Sequence, residues 1–204
     1  MTKFMRILMI TDVYFPRVNG VSTSIQTFRT DLVAAGHRCV LVAPAYPADH
    51  AEDGGAMIRI HSRAVPRDPE DRLFSRSRLL ALTEQLQRER FDLVHVQTPF
   101  VAHYAGVELA RRLGLPVVES YHTYFEHYFQ HYVPALPPRL LQSLARRFTR
   151  SQCRQVDAVI SPSRQMADAL REYGVSTPIE VLPTGLPADR FVAGDGARFR
   201  ARHG

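Results

Sequence analysis

Residues 6–28 read RILMITDVYFPRVNGVSTSIQTF, and the order of patterns within them decides the fold. The run over residues 4–10 is broken only by Arg6 and followed by Asp12. It is continuously apolar rather than alternating, as in a strand buried on both faces. Val21, Ile25, Phe28 and Leu32 then recur at helical spacing, and Gly36 is a natural stop. A buried strand followed by an amphipathic helix is the first half of a βαβ unit, and the pattern continues along the chain. Strands are expected at 38–43 (RCVLVA), 57–60, 93–96, 116–120 (PVVES), 157–160 (DAVI) and 179–182 (IEVL). Helices are expected at 72–90, at 100–113 with a stop at Gly114, at 138–154, and at 163–173 ending at Gly174. Residues 44–56 and the acidic run 68–71 read as loops, and 192–204 as a polar tail without a packed element. The alternation predicts an α/β protein with a doubly wound, mainly parallel, Rossmann-like sheet and right-handed crossovers.

Composition narrows the class. The 204 residues are 45% hydrophobic and 23% charged, which excludes a disordered chain or a disulfide miniprotein. No segment approaches bilayer-spanning length, and the first apolar run lacks the small-residue cleavage site of a signal peptide. Cys39 and Cys153 have no metal-binding or redox spacing, so a reduced, cytoplasmic setting is the default. The net charge of +6, carried almost wholly by arginine, suits anionic lipid, nucleic acid or phosphorylated small molecules, or simply a soluble surface. Arg72, Arg76 and Arg78 sit beside leucines, and Arg139, Arg146, Arg150 and Arg154 form a stripe with Leu140, Leu144 and Phe148 on another face. Such helices lie on anionic membranes or pack their apolar side on a sheet. No nucleic-acid-binding motif is present, and no nucleic-acid partner is expected.

In open α/β sheets ligands sit beyond the carboxyl ends of the strands, so the loops there are the places to look. Asn19-Gly20 precedes the first helix, where a glycine lets backbone N–H groups approach a phosphate, or simply makes a turn. His122 follows the strand 116–120, placed for hydrogen bonding or proton transfer, or for a structural role. His127 and His131 are four apart beside Glu126 among aromatic residues, without HExxH order or further ligands, so no metal site is expected. Pro183-Thr184-Gly185 ends the last strand as a hinge or a plain loop. Dinucleotide G-x-G-x-x-G, Walker A and G-x-S-x-G sequences are all missing.

Four pieces in order, RILMITDVYFPRVNGVSTSIQTF, HVQTP, ESYHTYFEHY and DAVISPSRQMADALREYGV…IEVLPTGLPADRF, resemble the N-terminal domain of glycosyltransferase family 4, one half of the GT-B fold. The segment HTYFEHYFQHYVP resembles the members that glycosylate diacylglycerol or phosphatidylinositol. The resemblance implies retaining transfer of a sugar from a nucleotide-sugar donor, without a metal cofactor, to an acceptor such as a membrane lipid or saccharide. By that analogy His122 contacts the donor sugar or the reacting centre. Asn19, Gly20 and Val21, with Thr184 and Gly185, line the donor side, and Tyr14, Tyr124, Glu126 and Tyr128 the acceptor side. Residues 1–190 would form the domain, and 191–204 a linker toward a C-terminal nucleotide-sugar-binding domain. Without that domain no turnover is expected. The alternative is a non-catalytic module that binds phosphate, sugar or an anionic membrane surface, such as the inner face of the cell membrane.

Overall fold

The computed structural model describes residues 3–47, 56–65, 68–122, 137–185 and 194–203. The chain runs β1 (Arg6–Ile10), α1 (Gly20–Ala34), β2 (Arg38–Pro44), β3 (Met57–Ile60), β4 (Ser62–Val65), β5 (Asp68–Phe74), α2 (Arg76–Ala81), α3 (Thr83–Arg88), β6 (Leu93–Val96), α4 (Val101–Leu113), β7 (Val117–Ser120), α5 (Pro138–Cys153), β8 (Ala158–Ser161), α6 (Arg164–Glu172), β9 (Ile179–Val181) and α7 (Gly196–His203). Seven strands form one parallel sheet in the order β3-β2-β1-β6-β7-β8-β9. The doubly wound fold class expected from the sequence is the one observed.

Alternation along β1 shows how a continuous apolar run serves two cores. Leu8 and Ile10 face the layer containing Val94, Val96, Ala105 and Leu109, whereas Ile7 and Met9 face Ile25, with Phe28 and Leu32 packed around them. Leu8, Met9 and Ile10 are each 0% exposed, and burying such a side chain is worth about 1.5–3 kcal/mol. Gly106 lets α4 approach the sheet. A Cβ there would lie 3.0 Å from Val96 Cγ2 and 3.3 Å from Ile10 Cδ1. The helix stops expected at Gly36, Gly114 and Gly174 all have positive φ, which glycine adopts without steric cost. Ser163 caps α6 by accepting the Met166 N–H at 3.1 Å.

Two expectations are corrected. The acidic run 68–71 is not a loop. It belongs to β5, which pairs antiparallel with β4 from Ser62–Phe74 to Val65–Asp68. Residues outside the segment hold this charged strand. Phe74 is buried, Arg72 donates to the Ser62 hydroxyl and carbonyl at 3.0 Å, and its guanidinium lies over the Tyr46 ring. Residues 72–90 are not one helix. Arg72–Phe74 complete β5, and the helical part divides at Leu82 into α2 and α3, where the Thr83 hydroxyl donates to the Leu80 carbonyl. The tail contains α7, begun by Asp195 accepting the Arg198 N–H at 2.9 Å. It is helical but not packed, for residues 194–202 are all exposed, Phe199 by 66%.

Candidate functional site

Strand order reverses between β1 and β6. The chain builds outward from β1 to β3, then returns to place β6 on the other side of β1. Beyond such a reversal the two loops diverge and leave a crevice. Asp12 and Thr98 fix its floor. The Thr98 hydroxyl accepts the Asp12 N–H at 2.7 Å and donates to the Asp12 carboxylate at 2.8 Å. That carboxylate also accepts the Ala102 N–H at 3.0 Å, in the first turn of α4. Burial pushes the Asp12 carboxyl up to about 7, opposed by the hydrogen bonds from Thr98 and Ala102 and by nearby His103.

One wall of the crevice is the start of α1. Asn19 caps it, accepting the Ser22 N–H at 2.8 Å. The N–H groups of Gly20 and Val21 at the positive helix end are left without an acceptor among the described residues. A Cβ on Gly20 would meet nothing within 4 Å, so the approach to these amides is open. Thr184 and Gly185 return from β9 to the same helix. The Thr184 hydroxyl lies 2.8 Å from that of Ser24, one turn beyond Gly20, and Gly185 packs beside Thr27.

The other wall is the row of polar residues at the ends of β6 and β7. A hollow of about 20 Å³ is lined by Val21, by residues 97–99 and by residues 119–122. His122 Nε2 lies 3.2 Å from Gln97 Oε1, and one step deeper His95 Nε2 lies 2.8 Å from the Ser120 hydroxyl. Burial holds both imidazoles neutral, pushing His122 down to about 4 and His95, which also feels His122, to about 3. Glu119 pairs with His103 Nδ1 at 3.1 Å, both fully inside. Its carboxylate reinforces the burial that pushes the Cys153 thiol up to about 12. The crevice thus joins a positive helix end, suited to anionic oxygens, to a neutral histidine suited to hydroxyl groups.

The structure brings Asn19, Gly20, Val21 and His122 to this one crevice, with Thr184 one turn along α1 at Ser24, whereas Gly185 lies further along that helix beside Thr27 and Asp31. Tyr14 stands apart. Its ring is 2% exposed, its hydroxyl bonds Gln26 and Arg29, and the Arg29 and Arg59 guanidinium groups lie over its face. That leaves its side chain no surface for an acceptor. Tyr124, Glu126, Tyr128 and the pair His127 and His131 lie outside the described residues. Among the described residues no group of three or more His, Cys, Asp or Glu is placed to hold a metal ion. Asp12, His95, Gln97, Glu119 and Ser120 were not singled out from sequence. Their only local signal is a polar residue in or just after a buried apolar strand.

The model of Glycosyltransferase Family 4 matches residues 18–190. The chain belongs to glycosyltransferase family 4. It is 35% identical over 188 residues to an alpha-monoglucosyldiacylglycerol synthase of Streptococcus pneumoniae, covering 92% of this chain and 42% of that protein. It is 25% identical over 194 residues to the alpha-monoglucosyldiacylglycerol synthase of Acholeplasma laidlawii, covering 92% and 48%. In structure it resembles Anabaena HepE, solved in complex with UDP-glucose, with a TM-score of 0.61 at 12% identity over 97% of this chain and 49% of that one. This family 4 chain therefore spans less than half the length of the curated relatives described here.

Proposed function

We propose that this chain forms the acceptor-side half of a retaining glycosyltransferase, moving a sugar from a nucleotide-sugar donor to an acceptor, with a membrane glycerolipid as the acceptor class. The observation that carries the reading is the crevice at the strand reversal. It sets the open amides of Gly20 and Val21 beside a neutral His122. The donor diphosphate would meet the helix end, and the sugar would meet His122. Electrostatic stabilisation of the leaving diphosphate is the main demand of this chemistry, and a helix N-terminus meets part of it without a metal cofactor.

The hollow of about 20 Å³ has room for roughly one water molecule and not for a hexose. The reading therefore includes a second wall, a nucleotide-sugar-binding domain reached through residues 191–204. The lipid acceptor is supported by the 35% identity to the Streptococcus pneumoniae synthase and by α5. That helix carries Arg139, Arg146, Arg147 and Arg150 and no acidic residue, with Leu140 and Leu144 each 47% exposed. It borders the crevice loops, with the Thr149 hydroxyl 2.8 Å from that of Tyr121 and the Gln152 amide donating to the Pro99 carbonyl. These features suit attachment to the anionic cytoplasmic face of a membrane.

The test is transfer from UDP-glucose to lipid vesicles containing diacylglycerol, by this chain joined to its donor-binding domain. His122→Ala should lower kcat at least about 100-fold, within the range for groups acting at a reacting centre. Near-normal turnover in a folded variant overturns the assignment.

A further inference from the structure

Gln97, just beyond β6, is 1% exposed, and the two ends of its amide have different fates. Oε1 faces His122 Nε2 at 3.2 Å. The amide nitrogen is buried and has no hydrogen-bond partner among the described residues, although the residue lines the hollow. A carbonyl oxygen can only accept, so the ring nitrogen facing it must carry the proton. A neutral imidazole has one N–H, and here that N–H is committed to Gln97. The remaining nitrogen, Nδ1, can then only accept.

The geometry points to Gln97 as the positioning residue that holds His122 in its Nε2–H tautomer, making Nδ1 an acceptor for a ligand hydroxyl and offering its own amide N–H groups to a ligand oxygen. This rests on the reading that His122 meets the sugar, and it deepens that reading. An acceptor-only Nδ1 matches a sugar hydroxyl and repels a phosphate oxygen, which is likewise acceptor-only. The two walls of the crevice are thereby sorted by chemistry, with anionic oxygens at Gly20 and Val21 and hydroxyl groups at His122. The unpartnered amide explains why a buried glutamine sits here at all. An unmade buried donor is destabilising, and a ligand oxygen would satisfy it. The titratable neighbours are His95 on β6, held neutral, and Glu119 on β7, which is bonded to His103.

Long-range proton–nitrogen correlation spectra of the 204-residue chain, labelled with ¹⁵N-histidine, test the pair directly. The His122 signals are identified by their loss in His122→Gln. The expected spectrum at pH 6–8 shows His122 protonated at Nε2 and bare at Nδ1. Gln97→Leu should abolish the single tautomer while leaving the far-ultraviolet circular dichroism unchanged. Gln97→Glu keeps an acceptor at the same point. It should retain Nε2–H and raise the His122 titration by about one pH unit or more, as a carboxylate partner does. Protonation at Nδ1 in the wild type overturns the proposal, and so does an unchanged tautomer in Gln97→Leu. If the leucine variant does not fold, an unmoved His122 titration in Gln97→Glu overturns it instead. The spectra need no turnover. An active His122→Ala enzyme would sink the catalytic reading while leaving the tautomer result intact.

Discussion

The carboxylate of Asp12 accepts the backbone N–H of Ala102 at 3.0 Å, so a residue just beyond one strand caps a helix at a position 90 further along the chain. The position before α4 is Phe100, which has no side chain able to cap it. Asp12 supplies across the fold what the local sequence omits, and with Thr98 it ties the floor of the crevice together. Asp12→Ala strands the Ala102 N–H and the Thr98 hydroxyl in the interior. Each buried orphan costs about 1–3 kcal/mol, so a loss of about 3 kcal/mol is expected in urea unfolding at constant m. A midpoint within error of wild type would remove Asp12 from this role.

Acid sensitivity follows from three buried groups. His122 and His95 are depressed to about 4 and about 3, so their contribution is complete above the unfolded histidine pKa of 6.5 and is lost as pH falls through the folded values. Asp12 is raised to about 7 from 3.8, so its contribution is complete below 3.8 and is lost as pH rises toward 7. Between pH 4.5 and 6 the two histidines outweigh the one aspartate by a single proton. Stability should therefore rise with pH by about 1.4 kcal/mol per unit from these groups. His95→Gln should flatten that slope, and Asp12→Asn should steepen it. Unfolding midpoints across this range measure both, and parallel slopes for all three proteins would contradict the assignment.

Gly106 tests how closely α4 lies on the sheet. Gly106→Leu must displace Val96 or Ile10, whose methyl groups stand 3.0 and 3.3 Å from the new Cβ. Overpacking of this kind costs about 3 kcal/mol, visible as a lowered Tm. Gly106→Ala sets the same clash against a gain of about 1 kcal/mol in helix propensity and should lose less. Equal melting of the leucine variant and the wild type would show that the helix sits further out.

Both thiols should be silent in the native state. Cys39 and Cys153 are buried, and burial raises both pKa values, Cys153 to about 12 with help from Glu119. Little reactive thiolate exists near neutral pH. A disulfide reagent at pH 8 should modify neither cysteine until denaturant is added, and then both. Prompt native modification of either would be inconsistent with this packing.

Vesicle binding separates charge from packing at α5. Arg139 and Arg147 are exposed, and neither makes an ion pair among the described residues. Arg139→Glu with Arg147→Glu should weaken co-sedimentation with anionic vesicles roughly 30-fold, on the basis of about 1 kcal/mol for each arginine lost at such a surface. Unchanged binding, or equal binding to neutral vesicles, would take α5 out of the membrane reading.

What the sequence made legible was whatever short-range chemistry determines. The run over residues 6–10 could be read because a strand with two buried faces has to be apolar throughout. Gly36, Gly114, Gly174 and Ser163 could be read because a positive φ or a helix cap is a local demand. The strand Asp68–Phe74 was hidden because its charged residues look like solvent-facing chain, and its support from Ser62 and Tyr46 comes from outside the segment. At the crevice, Gly20, His122 and Thr184 stood out by position. Asp12 and Gln97 did not, because a lone polar residue after a strand acquires meaning only from partners such as Ala102 and His122.

The pairing of β1 with β6 also has a temporal side. Ile7 to Ile10 align with Leu93 to Val96, while Asp12 and Thr98 are 86 positions apart. A ribosome working at about 5–20 residues per second needs roughly 4–17 s to make that interval. Until then β1 has β2 on one side and nothing on the other, leaving an apolar strand with an open hydrogen-bonding edge. The seam that later holds the crevice is thus the last part of the central sheet to close around β1, and nascent chains stalled before Val96 would be those most prone to aggregate.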